Sequence, residues 1–233
     1  MKINPNSQNT TQPNYKQSFK ALPVAKIRLR NMPAADEFTL YSVGKNDLPF
    51  LNELLESLNL EKMYPNIPDK KDFDRWKDML YGAITNIKFG SDGLLSARRN
   101  TPCSVMSYND INNGTGIYLA HQAAWPIEPN QGTKCAGKSI MRHVFEKAVN
   151  EHKNFAMGVP ERMSPRGKTS RDYLQELGFV ENIKNATIEM HANEKSNKFS
   201  DAIKKLDEIM DYQKIDDAAE VDLHSVLNLD LLK

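Results

Sequence analysis

The chain has 233 residues, of which 39% are hydrophobic and 26% are charged. These proportions are typical of a soluble globular protein and exclude a wholly disordered one, and no stretch approaches the ~18 consecutive apolar residues that a membrane helix requires. With 31 Lys and Arg against 30 Asp and Glu, the formal net charge is +1, which argues against a dedicated nucleic-acid coat or a polybasic membrane binder.

The N-terminal segment, residues 1–22, is rich in Asn, Gln, Thr and Ser and contains few aliphatic residues. Too little apolar surface is available there to offset the entropy cost of ordering, so a flexible tail is predicted. The segment also lacks the continuous apolar core of a secretory signal. Two cysteines, Cys103 and Cys135, are too few for a disulfide framework or a zinc finger. We therefore expect a cytoplasmic protein.

Alternating apolar and polar residues predict two strands after the tail, at 24–30 and 37–43. A helix that begins after Asp47 and a second helix that follows Pro68 come next, each with apolar residues at helical spacing. Three short extended runs then predict an antiparallel meander, because turn residues separate them: 93–99, 103–109 and 116–125.

The second half of the chain alternates between helical and extended patterns. The predicted elements are a helix with an apolar stripe over 140–149, a strand at 154–161, a helix at 169–177, a strand at 186–192 and an amphipathic helix over 199–210. Gly178 stands where a C-terminal cap of the fourth helix belongs. The order predicts an α+β fold rather than a regular doubly wound one. We expect the main domain to span 23–195, and residues 196–233 to form a C-terminal helix and an acidic tail.

A glycine loop lies between the meander and the 140–149 helix. Residues Gly132 to Ser139 fit the phosphate-loop pattern GxxxxGK[ST] of nucleotide triphosphatases. In those proteins a buried strand leads directly into the loop, whereas here a polar segment with two prolines separates Trp125 from Gly132. A triphosphatase is therefore kept only as an alternative interpretation.

The same residues support a second interpretation. Lys134-Cys135-Ala136-Gly137-Lys138-Ser139 resembles the pyrophosphate-binding segment of the GNAT superfamily of acetyl-CoA-dependent N-acetyltransferases, Gln/Arg-x-x-Gly-x-Gly/Ala at the start of a helix, with Lys first and Ser last. The unpaired amides of a helix N-terminus favour an anion in either interpretation. Downstream, residues 173–179 echo the Tyr-x-x-Leu-Gly-Phe signature of that superfamily, and the resemblance is best over 93–192.

The resemblance implies a GNAT-like fold: a mixed, mostly antiparallel central sheet flanked by helices. It also implies that acetyl-CoA, as co-substrate, lies in a V-shaped opening between the strand ending near Trp125 and the strand starting near Asn154. Backbone groups near Trp125 and Ile127 would pair with its pantetheine arm. The residues expected at the pyrophosphate follow in the loop: Lys134, Cys135, Ala136, Gly137, Lys138 and Ser139.

Acetyl transfer to an amine requires a base for the amine and an acid for the leaving thiolate. The candidate bases are His121, which the strand alternation places on one face with Leu119 and Ala123, and Glu128. The candidate acids are Tyr173 and Ser170.

In the superfamily, the Tyr that acts as the acid usually stands at the position that corresponds to 174. This chain has Leu174 there. A one-residue shift on a helix rotates a side chain by ~100°. The alternative interpretation is therefore that Tyr173 is an aromatic residue of the core. A module that binds CoA without transferring acetyl is therefore a second interpretation.

The resemblance implies an amine-bearing acceptor, attacked directly in a ternary complex, with the acceptor site built from about residues 46–89. No metal is expected, because His143, His152 and His191 lack metal-ligand spacing. Neither nucleic acid nor a membrane is expected as a partner. Residues 131–171 contain nine Lys or Arg against three Glu, a local positive charge in the region proposed for the CoA phosphates.

Overall fold

The computed structural model describes residues 20–30, 33, 37–66, 70–129, 135–159, 170–193 and 197–233. The flexible tail predicted over 1–22 lies outside these ranges up to residue 19. Its last residues are part of the fold, since Ala21 forms a β-bridge with Val221 and Leu22 opens the first strand.

The described part of the chain contains nine strands in one sheet: β1 (Leu22–Leu29), β2 (Phe38–Val43), β3 (Asp92–Arg98), β4 (Thr101–Ile111), β5 (Gly116–Ala124), β6 (Phe155–Gly158), β7 (Val180–Asn182), β8 (Thr187–His191) and β9 (Met210–Lys214). Their order is β7-β8-β6-β5-β4-β3-β2-β1-β9. Every neighbouring pair is antiparallel except β5 and β6, which are parallel. The predicted α+β class and the mixed, mostly antiparallel sheet are confirmed.

Helices cover both faces of the sheet: α1 (Leu48–Ser57), α2 (Leu60–Met63), α3 (Lys70–Lys88), α4 (Ala136–Asn150), α5 (Ser170–Leu177), α6 (Lys198–Asp207) and α7 (Leu223–Val226). Successive strand residues point to opposite faces, so Leu94 packs in a core with α4, α5 and α6 whereas Leu95 packs in a second core with α1, α2 and α3. The sheet is therefore the middle of three layers. No helix within the described ranges is long and apolar enough to cross a membrane.

The predicted strands and helices are present, and the structure adds elements that the patterns did not reveal, namely α2, α7, β7 and β9. The helix predicted over 199–210 ends at Asp207, and Met210 begins β9, which pairs with β1 from Met210↔Leu29 to Lys214↔Ala25. Met210 is fully buried in the core beside α4. Part of the predicted C-terminal extension thus forms an edge of the central sheet.

A partly buried polar cluster joins α4 to these C-terminal elements. The Arg142 guanidinium donates to Asp207 at 2.7 Å and lies 4.3 Å from the centre of the Tyr212 ring. His143 Nδ1 lies 2.8 Å from the Tyr212 hydroxyl. Burial, helped by the nearby Lys147, lowers the pKa of His143 to about 4, so this ring is neutral at physiological pH. The cluster fixes α4 against the sheet edge.

Candidate active site

The two parallel strands separate at the centre of the sheet. β5 and β6 pair from Gly116↔Phe155 to Leu119↔Gly158, and no pairing between them continues beyond this point within the described ranges. β5 itself extends to Ala124. β5 therefore extends five residues beyond its last pair with β6.

A β-bulge lies where the strands separate. Ser107 of β4 faces His121, but the next residue, Tyr108, faces Leu119, so Ala120 is the extra residue. A bulge bends its strand and increases the local twist, so β5 changes direction after Leu119, its last residue paired with β6.

The bulge also reverses which face each β5 residue occupies. Leu119 packs in the core beside α4, whereas Ala123 packs in the core beside α3. The prediction that His121 shares a strand face with both of them was therefore wrong for Leu119, because strict alternation does not survive an inserted residue. His121 faces α3, and its neighbour Gln122 faces α4.

A small cleft of about 80 Å³ lies at the opening and is lined from both layers. Its apolar wall consists of Met79 of α3, Met106 of β4, Met141 of α4, Leu119, Ala120, Gly158, Val159 and Leu174. His121 and Tyr173 also line it. One candidate base and one candidate acid therefore border the same cleft.

Two residues of α3, Asn86 and Gly82, hold the imidazole of His121 in place. The Asn86 side-chain Nδ2 lies 2.9 Å from His121 Nδ1 and 3.2 Å from the Ser107 hydroxyl. Gly82, one turn earlier on α3, leaves room for the ring, because a Cβ at this position would lie 2.7 Å from Cδ2 and 2.8 Å from Nε2. The ring thus packs against α3, where Asn86 bonds to it and Gly82 leaves space for it.

Tyr173 presents a hydroxyl without a described partner. The oxygen is buried and forms no hydrogen bond to any of the described residues. Burial raises the Tyr173 pKa well above 10, and charge on Cys135 and Glu176 acts in the same direction. The hydroxyl is therefore protonated at neutral pH and carries a proton that it can donate. Leu174 is 8% exposed and lines the same cleft, so the two adjacent helical positions both reach it.

The other two catalytic candidates are placed differently. Glu128 accepts a hydrogen bond from Arg99 at 3.1 Å and is not among the residues that line the cleft. Ser170 is the first residue of α5, and its side chain lies outside the described part of the structure.

The start of α4 supplies the part of the glycine loop that the structure describes. Cys135 precedes the helix in the left-handed conformation, with φ of 73°. The amides of Ala136, Gly137 and Lys138 belong to the first turn, where an α-helix has no carbonyl of its own to pair with them. Lys134 lies outside the described ranges.

Ser139 has a different role from the predicted contact with the pyrophosphate. Its amide donates to the Cys135 carbonyl at 2.8 Å, so this N–H belongs to the helix ladder and is not available to a pyrophosphate. Its hydroxyl is buried, donates to the Ala136 carbonyl at 2.7 Å and lies 3.5 Å from the Ser96 hydroxyl. This side chain packs against the sheet rather than facing the loop.

Gly137 and Lys138 connect α4 to its neighbours. Gln122 Nε2 donates to the Gly137 carbonyl at 3.0 Å, and a Cβ on Gly137 would lie 2.8 Å from that nitrogen. A side chain at position 137 would therefore displace the Gln122 amide from its bond to the Gly137 carbonyl, a contact that involves no ligand. Lys138 points toward α5, with its ammonium 3.8 Å from the Glu176 carboxylate and 5.6 Å from the centre of the Tyr173 ring.

Trp125 and Ile127 are both buried, in different cores. The Trp125 amide donates to the Cys103 carbonyl at 2.9 Å, and its indole N–H donates to the Pro102 carbonyl at 2.9 Å. Its amide is therefore unavailable to the pantetheine arm that the resemblance would pair with it, because β4 already uses it.

The local positive charge predicted for 131–171 is balanced where the structure describes it. Each described Lys or Arg of this segment pairs with a carboxylate: Lys138 with Glu176, Arg142 with Asp207, Lys147 with Glu151, Lys153 with Asp110 and Arg171 with Glu181. Several of these partners are distant in sequence, which a count along the chain does not detect. No group of three His, Cys, Asp or Glu within the described ranges is arranged to hold a metal ion.

No family model matches the chain, and no curated protein is similar enough to be matched. Solved structures are similar to it. The PaiA N-acetyltransferase from Thermoplasma acidophilum, in complex with coenzyme A, is 14% identical over 66% of this chain and 98% of its own, with a TM-score of 0.45. RimJ from Mycobacterium smegmatis, in complex with CoA-disulfide, is 14% identical over 78% of this chain and 93% of its own, with a TM-score of 0.44.

The GNAT domain of PAT from S. lividans is 11% identical over 72% of this chain and 96% of its own, with a TM-score of 0.45. This domain is named for the superfamily that the sequence motifs resemble.

Proposed function

We propose that this protein is an N-acetyltransferase that moves an acetyl group from acetyl-CoA to a primary amine by direct attack in a ternary complex. The main observation that supports this proposal is the cleft at the end of the β5–β6 pairing. His121 borders this cleft on the α3 side, and Tyr173 borders it next to the start of α4. Acetyl-CoA supplies a thioester whose carbonyl carbon an amine can attack. The products are an amide and CoA thiol, so one proton must leave the amine and one must reach the sulfur.

Two side chains suit these proton transfers. His121 faces α3, and α1 to α3 are the helices proposed to form the acceptor site, so its imidazole is placed to take the proton of the attacking amine. Tyr173 borders the cleft and has a buried hydroxyl with no partner among the described residues, which leaves its O–H available to the leaving thiolate. Base and acid would then act from the two sides of the opening.

The start of α4 suits the pyrophosphate of the cofactor. The first-turn amides of Ala136, Gly137 and Lys138 supply donors and the positive end of the helix dipole. Gln122, by donating to the Gly137 carbonyl, holds this turn against β5 and therefore next to the cleft.

Calorimetry with CoA, and separately with ATP and magnesium, tests the ligand, and thiol release from acetyl-CoA with a panel of amines tests the reaction. We expect CoA binding without a magnesium requirement, and turnover with at least one amine. Magnesium-dependent ATP binding without CoA binding would overturn the proposal. CoA binding without turnover on any amine would favour the binding module, for which Leu174 at the usual acid position is the motivating residue. The Glu128→Gln variant is the control, because Glu128 lies away from the cleft.

A further inference from the structure

Asn86 of α3 connects His121 to a buried hydroxyl behind the cleft wall. Its Nδ2 lies 2.9 Å from His121 Nδ1 and 3.2 Å from Ser107 Oγ. Ser107 and His121 face each other in the β4–β5 ladder, and Ser107 is fully buried. Side chains from three elements thus form one hydrogen-bonded set, and the cleft lies beside it.

This arrangement decides where a neutral His121 carries its proton. An amide NH₂ that donates to Nδ1 occupies the lone pair of that nitrogen, so the ring hydrogen is on Nε2. A ring in this tautomer has no free nitrogen with which to accept a proton. A base requires the opposite arrangement, with Nδ1–H bonded to an acceptor and the Nε2 lone pair available.

Asn86 can provide that arrangement by a half-turn of its amide. The turn exchanges Nδ2 and Oδ1, which differ little in size, and places an acceptor at Nδ1–H. Ser107 tolerates both orientations, because a hydroxyl accepts from Nδ2 in one and donates to Oδ1 in the other. Neither Asp, which only accepts when ionised, nor Leu could do the same.

We propose that Asn86 is a positioning residue for His121: with Nδ2 toward the ring it anchors the tautomer that carries its hydrogen on Nε2, and with Oδ1 toward the ring it accepts from Nδ1–H and leaves the Nε2 lone pair free to take the proton of the amine. In the change from the first state to the second, the Nε2 hydrogen leaves to solvent water and Nδ1 takes one from it, so the ring loses and gains one proton. The proposal rests on the function proposed above, in which His121 is the base. In this role Asn86 presents a donor to one tautomer of the ring and an acceptor to the other. A residue that only packs, or that only donates, could not do this.

The test combines nitrogen NMR of ¹⁵N-histidine-labelled protein with steady-state kinetics. The two ring nitrogens of His121, assigned by their loss in His121→Gln, report the tautomer. The variants are Asn86→Asp, which keeps an acceptor, and Asn86→Leu, which keeps neither donor nor acceptor. Asn182→Leu is the matched control, because Asn182 lies on β7 and bonds to Glu189 instead.

We expect the unmodified chain to hold the hydrogen on Nε2, Asn86→Asp to move it to Nδ1, and Asn86→Leu to give a mixture. We expect kcat to fall about tenfold or more in Asn86→Leu, with KM for acetyl-CoA within about twofold, and to fall less in Asn86→Asp. A tautomer that neither variant changes, or a kcat of Asn86→Leu equal to that of Asn182→Leu, would overturn the proposal. If the unmodified chain acetylates no amine, the proposed function fails, while the nitrogen spectra still decide whether Asn86 sets the tautomer.

Discussion

Gly82→Ala is expected to separate activity from stability. The new Cβ would lie 2.7 Å from His121 Cδ2 and 2.8 Å from Nε2, whereas ordinary contacts are 3.4 Å or longer. The ring must therefore move by about 0.7 Å, and a movement of that size away from α3 would lengthen the 2.9 Å contact with Asn86 to about 3.6 Å, beyond the range of a hydrogen bond. The backbone has no reason to move, because the nearest atoms to the added methyl all belong to one side chain.

The stability terms of this substitution nearly cancel. Replacing Gly by Ala inside a helix stabilises it by about 1 kcal/mol, and losing one hydrogen bond costs about 1 kcal/mol. We therefore expect the free energy of unfolding, measured with urea, to change by less than about 1 kcal/mol, while kcat falls at least about tenfold because the base is displaced. CoA affinity, measured by calorimetry, should stay unchanged. Full kcat in a normally folded Gly82→Ala protein would refute the assignment of His121 as the base.

Three further substitutions test other parts of the structure. Tyr173→Phe should lower kcat about ten- to a hundredfold, because the proposed acid is removed. The free energy of unfolding should stay equal or rise, because the substitution removes a buried hydroxyl that has no described partner. Lower stability with unchanged kcat would contradict this prediction. In the folded protein the pKa of His143 is about 4, below its ordinary 6.5, so between these pH values the unfolded chain binds a proton that the folded chain does not. Stability from this group is therefore lost as the pH falls from 6.5 to 4, by up to about 3 kcal/mol, and urea unfolding should show a smaller loss in His143→Gln; equal losses would rule this out. Arg142→Met should lower the free energy of unfolding by about 2 kcal/mol, since the charge-assisted bonds to Asp207 and the contact with the Tyr212 ring are lost, and an unchanged urea midpoint would argue against the cluster's role.

The sequence predicted the elements whose signals are local. Strands β1 to β5 follow from alternation and turn residues, and α3 and α4 follow from apolar residues at helical spacing. β9 was missed because its five residues gain their strand character from the free edge of β1, which lies about 180 residues earlier in the chain. A partner so distant leaves no periodic signal in the segment itself.

The sequence predicted which residues lie near the site, but not how their side chains are oriented. The sequence identified His121, Tyr173 and the start of α4, and the structure places the two side chains at one cleft. The faces of β5 could not be predicted, because the bulge at Ala120 depends on pairing with β4 and not on any residue type in β5. Asn86 was missed for a related reason, since its contact with His121 joins a helix and a strand that are 35 residues apart.

The first turn of α4 also bears on the two interpretations of the glycine loop. A triphosphatase needs the Lys of the pattern at the terminal phosphates and the Ser hydroxyl on magnesium. In this protein the Lys138 ammonium lies beside Glu176 and the Ser139 hydroxyl is buried against Ser96, so neither side chain is placed for those tasks. What α4 offers an anion is its backbone, with the donors and the dipole of a helix N-terminus. The first-turn amides of α4 therefore support the proposed pyrophosphate site of acetyl-CoA, whereas the placement of Lys138 and Ser139 does not support a site for nucleotide hydrolysis.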